Sequence, residues 1–154
     1  MNLKIRKGKK SDLSNLFKLI KELAEFEKKT DEVTNTLKRM INEQKFFNFF
    51  VAEIDGHMIG FALYFFVYST WKGKSLYLDD LYVMPKFQGQ KIGSKLLRKI
   101  FELGKEKDCQ RIRWQVLDYN INTIEIYKRM GAHISNECLN CDFYKKDIEK
   151  FLKK

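Results

Sequence analysis

The sequence is poor in residues that interrupt regular structure. Among 154 residues there are one proline and eight glycines, which excludes collagen-like, low-complexity and linker-rich chains. With 44% hydrophobic and 14% aromatic residues, the chain can build a sizeable core, and disorder is excluded. Its length fits one compact domain, residues 1–154. Cysteine is scarce and odd in number: Cys109, Cys138 and Cys141. Met1 to Lys10 is polar and basic, without the apolar core of a secretion signal, so reduced thiols and a cytoplasmic location are expected. Cys138 and Cys141 form a C-x-x-C, which reads either as a redox pair or as half of a metal site. A tetrahedral zinc site needs two further ligands, and only Cys109, His57 and His133 remain, so no metal is expected. Long apolar runs are missing too. The longest, Ile59 to Tyr68, is strand-sized, against the ~20 residues a membrane span needs, and no membrane partner is expected.

Acid is short relative to base. The chain has 30 Lys+Arg against 20 Asp+Glu, a formal net charge of +10. Such a charge is either a solvated lysine-rich surface or an attraction to a polyanion, whether nucleic acid or a phosphate-bearing cofactor. The aromatics Phe46, Phe47, Phe49 and Phe50 would suit a nucleic-acid module, but they cluster as a core strand does. The lysines are spread along the chain and no nucleic-acid motif is present, so no nucleic-acid partner is expected.

Periodicity orders the chain. Leu3 to Arg6 alternates as a short strand. Ser11 reads as an N-cap, and Leu13, Leu16, Phe17, Ile20, Leu23 and Ala24 carry a helix to about Lys28. A short helix follows around Asn35 to Asn42. Phe46 to Ile54 and Met58 to Tyr68 are β-rich and flank Asp55-Gly56, a tight-turn signal, so a hairpin is predicted. Ser75 to Val83 is a third strand, broken by Pro85 and Gly89. Ile92, Leu96, Leu97, Ile100 and Phe101 mark a helix ending near Gly104, and Arg111 to Leu117 a further strand. Asn122 with Glu125 suggests a capping box for a helix ending at Gly131. One or two strands are expected through Tyr144, and a terminal helix or tail from Asp147 to Lys154. This order predicts a mixed α/β domain around one sheet.

The stretch Leu76-Tyr77-Leu78-Asp79-Asp80-Leu81-Tyr82-Val83-Met84-Pro85-Lys86-Phe87-Gln88-Gly89-Gln90-Lys91-Ile92-Gly93-Ser94 carries the chemistry. A strand enters a glycine-bearing loop that opens a helix, exposing backbone N–H groups at the positive end of a helix dipole. Lys91, Lys95, Arg98 and Lys99 occupy the first turns, and no acid does. That bias suits a pyrophosphate. Both the Walker motif and the dinucleotide fingerprint are absent.

Gln88 to Gly93 resembles the acetyl-CoA signature of the GNAT acetyltransferases, [RQ]-x-x-G-x-[GA], with Lys91 in place of the middle glycine. Asn120, Thr123, Tyr127 and Gly131 match the second, distant GNAT pattern N-x-x-[AS]-x-x-x-Y-x-x-x-G, with Thr in the small-residue slot. From Ile5 to about Gly131 the chain resembles spermidine/spermine acetyltransferases and their thialysine-acetylating relatives. Leu19-Ile20-Lys21-Glu22-Leu23-Ala24, Gly60-Phe61-Ala62-Leu63-Tyr64-Phe65, Leu76-Tyr77-Leu78-Asp79-Asp80 and Tyr127-Lys128-Arg129-Met130-Gly131-Ala132 carry that likeness.

The resemblance implies one mixed, mostly antiparallel sheet flanked by helices, acetyl-CoA as co-substrate, a small-molecule amine as acceptor, direct attack in a ternary complex, and a homodimer. It makes Tyr127 the acid that protonates coenzyme A and puts Asp79 where a glutamate draws the amine proton through water. Leu81 and Val83 would meet the pantetheine arm, with the Leu81 N–H polarising the thioester carbonyl. Gln88, Gly89, Gln90, Lys91, Ile92, Gly93, Ser94, Asn120 and Tyr127 would hold the cofactor, and Glu27, Trp71, Asp79 and Asp80 the substrate cation. Read without the resemblance, Tyr127 is equally a core tyrosine, Glu27 a solvated helix end and Trp71 a hairpin anchor. Ser69 and Cys141 replace an acid and a tryptophan of the family, which removes cation-binding character. An amine with a pKa near 10.4 is neutral in about one molecule in two thousand at pH 7, a handicap of roughly 4.6 kcal/mol, so a proton route is required.

Overall fold

The computed structural model describes residues 2–153 and divides into two compact units, Met1–Gln115 and Val116–Lys154. The first unit is built on a five-stranded sheet in the order β1-β2-β3-β4-β5: Leu3–Lys7, Asn48–Ile54, His57–Ser69, Gly73–Val83 and Arg111–Arg113. The first four strands pair antiparallel and β5 pairs parallel to β4, so the sheet is mixed and mostly antiparallel, as expected. At Asp55-Gly56 both residues have positive φ, 50° and 80°, the geometry of a tight hairpin turn that matches strand twist.

Alternation along the strands sorts two cores. Phe49, Val51, Phe61 and Leu63 face helix α1 (Leu13–Phe26) and α2 (Leu37–Asn42), packing on Leu13, Leu16, Leu19 and Met40. Phe50, Ala52, Ala62 and Tyr64 face helix α3 (Ile92–Glu106), packing on Ile92, Leu96, Leu97, Ile100 and Leu103. Helices thus cover both faces of the sheet.

Several expected boundaries move. Ser11 lies inside a short 3-10 turn, and Asp12 precedes α1 instead, tied by Arg6 through hydrogen bonds of 2.7 and 2.9 Å. That bond, ahead of the opposing effect of burial, holds the Asp12 carboxyl below its ordinary range. Gly104 does not end α3. It is buried inside the helix, and a Cβ there would stand 2.7 Å from Ile112 Cδ1, so the glycine permits close approach to β5. The strand expected over Arg111 to Leu117 pairs only as far as Arg113.

In the second unit, α4 is Ile121–Arg129 and α5 is Lys145–Phe151. Asn120, not Asn122, caps α4, its side-chain oxygen accepting from the Thr123 N–H at 3.4 Å. Glu125 bonds Lys128 at 2.8 Å instead of completing a capping box. The strands expected between Gly131 and Tyr144 are not formed. Asn136, Asn140 and Asp142 interrupt any alternation there, and such side chains compete for backbone hydrogen bonds. Among the described residues no helix is long and apolar enough to cross a membrane.

Candidate functional site

The strand-to-helix loop has the shape an anion needs. β4 ends at Val83, and a 3-10 turn at Pro85–Phe87 leads to Gln88, whose side-chain amide donates to the Val83 carbonyl at 2.9 Å. Gly89 has φ +77°, a left-handed conformation that favours glycine. The first helical bond of α3 runs from the Lys95 N–H to the Lys91 carbonyl, 3.1 Å, so Ile92, Gly93 and Ser94 offer N–H groups without an intrahelical acceptor. Residues 88–91 and Ser94 are exposed. With lysines and no acid in that first turn, the loop fits the pyrophosphate of a coenzyme A ester.

Lys91 departs from the glycine of the pattern and takes glycine's geometry. It is the N-cap residue of α3 with φ 60° and ψ 17°, and no side-chain cap bond compensates it. A non-glycine residue there costs about 1 kcal/mol. Lys91→Gly is therefore expected to raise the melting temperature by about 2–4 °C, readable by scanning calorimetry.

The second part of the site is acidic. Register along β3 and β4 pairs Leu63 with Asp80 and Tyr64 with Leu78, leaving Asp79 as the extra residue of a β-bulge. Asp79 is exposed, and partial desolvation raises its carboxyl above the ordinary range. Asp80 is half-buried and pushed up to about 7, first by burial, then by the charges of Asp79 and Glu27. Asp79 and Glu27 thus both lie within electrostatic reach of Asp80. Glu27 is the C-cap residue of α1, set by a left-handed Lys28 (φ 57°) and by the bonds Lys28 N–H to Glu25 carbonyl, 3.1 Å, and Lys29 N–H to Ala24 carbonyl, 2.8 Å.

The sequence reading did not single out Glu22 and Glu25. Both lie on α1 near the buried Tyr82 hydroxyl, which is held protonated by burial first and then by these two charges. Their signal was present. Helix α1 has no basic residue in its last turn and ends on Glu25 and Glu27, against its own dipole. Such an end costs about 0.3–1 kcal/mol. Glu27→Gln is expected to raise the melting temperature by about 1–3 °C, readable by scanning calorimetry.

Pairing of β4 with β5 covers only Ser75, Leu76 and Tyr77. Within this unit, β4 from Leu78 to Val83 has no strand on that side, so the stretch holding Leu81 and Val83 forms an open edge. Trp71 is not brought to the acids. It sits 92% exposed at the tip of the β3–β4 hairpin, roughly 20 Å along the strand from Asp80.

In the second unit the N-x-x-T-x-x-x-Y-x-x-x-G spacing delimits α4. Asn120 caps its start. Gly131, with φ +93°, ends it through bonds from its own N–H to the Lys128 carbonyl, 2.9 Å, and from the Ala132 N–H to the Tyr127 carbonyl, 3.0 Å. Tyr127 lies on the last turns of this helix, half-buried.

A model of the Acetyltransferase (GNAT) family matches residues 13–132. The thialysine N-epsilon-acetyltransferase of Sus scrofa is 40% identical over 140 residues, covering 83% of this chain and 82% of that protein. The spermidine/spermine N(1)-acetyltransferase-like protein 1 of Homo sapiens is 31% identical over 139 residues, covering 83% of this chain and 20% of that protein. Among solved structures, an integron cassette protein from the mobile metagenome of V. cholerae superposes with a TM-score of 0.81 at 21% identity, covering 100% of this chain and 99% of that one.

Proposed function

Because the chain belongs to the GNAT acetyltransferase family and is an acetyl-CoA-dependent N-acetyltransferase, we propose that it acetylates a primary amine of a small polyamine- or diamine-like substrate, by direct attack in a ternary complex. The observation that carries the substrate class is Asp80, half-buried and reached by the negative charges of Asp79 and Glu27, in a chain of net charge +10. A cation approaching such a protein is repelled at long range. With a screening length near 8 Å, a local acidic site still decides where it settles.

In this reading residues 1–154 act as one domain, and each element has a task. The N–H groups from Gly89 to Ser94 hold the pyrophosphate, with Gln88 tying the loop to β4. The open edge at Leu81 and Val83 takes the pantetheine arm, and the Leu81 N–H polarises the thioester carbonyl. Glu27 holds a second substrate cation, and the Asp79–Asp80 pair drains the amine proton. Tyr127 protonates the departing thiolate, and Asn120 holds Tyr127's helix in place. The enzyme acts in the cytoplasm as a homodimer. Trp71 and Tyr68, exposed on the hairpin, supply aromatic surface for the partner copy or its substrate.

A second reading, acetylation of thialysine or another small amine, is favoured by the 40% identical Sus scrofa relative. The test is free-thiol release from acetyl-CoA against spermidine, spermine, putrescine, thialysine, lysine, glucosamine and a lysine peptide. Turnover with a polyamine or diamine well above the rest supports the first reading, and preference for thialysine supports the second. Turnover of the peptide alone overturns both.

A further inference from the structure

We propose that Asp80, rather than Asp79, accepts the proton of the attacking amine, with the exposed Asp79 passing it on to solvent. The inference rests on the amine-acetyltransferase reading and assigns one of its residues a role. It starts from the bulge. In an uninterrupted strand, Leu78 and Asp80 would share a face. The extra residue at Asp79 breaks that parity. Leu78, opposite Tyr64, packs in the core on the α3 side, whereas Asp80 lies opposite Leu63, whose core is on the α1 side. Residues directly opposite in an antiparallel pair share a face. Asp80 is therefore turned toward the α1 side of the sheet, the side of Tyr82, and it feels the charge of Glu27 from α1.

The surroundings then separate the two acids. Asp79 lies at the surface, where water reaches it. Asp80 is half-buried, and burial first, then the charges of Asp79 and Glu27, push its carboxyl up to about 7. Tyr77, on the same strand, senses burial first, then Asp79, with Arg113 of β5 opposing and Asp80 adding. The charges of Glu22 and Glu25 of α1 reach Tyr82, which shares that face with Asp80. A base is most effective when its pKa approaches the working pH. Against an ordinary aspartate at 3.8, a carboxylate near 7 is about a thousandfold better placed to take an ammonium proton.

The step balances. The substrate ammonium gives one proton to the Asp80 carboxylate and becomes a neutral amine. The nitrogen lone pair forms the N–C bond to the acetyl carbon, and the C–S bond breaks. The second proton lost from nitrogen balances the one Tyr127 delivers to the thiolate. Asp80 returns its proton to water by way of Asp79, and the products are the amide, the free thiol and one proton.

The test is log kcat/KM for the best amine against pH, from 5 to 9, in wild type, Asp79→Asn, Asp80→Asn and Asp80→Glu, with acetyl-CoA saturating. Wild type is expected to lose activity below an apparent pKa near 7. Asp80→Asn is expected to fall at least a hundredfold at pH 7 and to lose that limb. Asp80→Glu restores a limb. Asp79→Asn removes a neighbouring negative charge, which lowers the Asp80 pKa, so its limb moves to lower pH with turnover reduced only several-fold.

Folding is checked by the melting temperature and by acetyl-CoA binding. A carboxyl whose folded pKa lies above its unfolded value favours the fold most at low pH and progressively less as pH rises from about 4 to 7. Asp80→Asn should therefore melt no lower than wild type at pH 8. If it does not fold, Asp80→Ser takes its place. A limb retained in the folded Asp80 variant, or lost in Asp79→Asn, overturns this assignment while leaving the amine reading intact. Wild type that turns over no amine at any pH overturns both.

Discussion

Gly93→Glu is expected to weaken acetyl-CoA binding at least a hundredfold, about 3 kcal/mol, without harming the fold. A Cβ at Gly93 meets only Leu81 Cδ2 at 3.5 Å and Val83 Cγ2 at 4.0 Å, ordinary contacts that the packing absorbs. A glutamate in the first turn of α3 replaces glycine inside a helix, worth about 1 kcal/mol, and sets a negative charge at the positive end of the dipole, worth about 0.3–1 kcal/mol. The ligand-free variant should therefore melt higher than wild type. The same carboxylate competes for the N–H groups the pyrophosphate needs and repels it. Calorimetric titration with acetyl-CoA, paired with a melt of the free protein, reads both effects. Wild-type affinity in the variant removes the basis for placing the phosphates on this loop.

Tyr127→Phe is expected to lower kcat by roughly 10²–10³-fold, within the range a general acid contributes, with the Kd for acetyl-CoA changed about twofold or less. The helix carrying it depends on Asn120 and Gly131 for its ends and on backbone bonds from Met130 and Ala132 for its last turn. The tyrosine hydroxyl takes no part in those. A melt of the free variant, run alongside the kinetics, separates an effect on chemistry from one on folding. An acyl donor with a more acidic thiol leaves without help, so the variant's deficit should shrink with such a donor. A deficit that stays constant across leaving groups assigns Tyr127 to packing.

The two motifs were legible in the sequence because each is a local instruction to the backbone. Gly89 and the lysine-rich first turn announce an anion-binding helix start. Asn120 and Gly131 bracket one short helix, with Asn122, an equally good capping residue by type, inside its first turn. Helix boundaries slipped where side chains from elsewhere intervened. Asp12 was claimed by Arg6, and Gly104 was spent on contact with Ile112. The expected strands after Gly131 failed because an apolar residue here and there is no alternation.

Legible in the residues alone were the family, the order of elements as far as α4, the hairpin at Asp55-Gly56 and the glycine-bearing loop that opens α3. All of these follow from spacing within a few residues, which the chain carries wherever it folds. Which acid sits where depends on packing between distant segments. Asp79 and Asp80 are equivalent neighbours in the sequence, and one exposed and one half-buried carboxylate in the fold. That difference comes from a single unpaired residue in the register of β4 against β3, and from the end of α1 brought alongside it. Register and burial are relations between distant segments, and the field of Glu27 reaches Asp80 only once both have been folded into place.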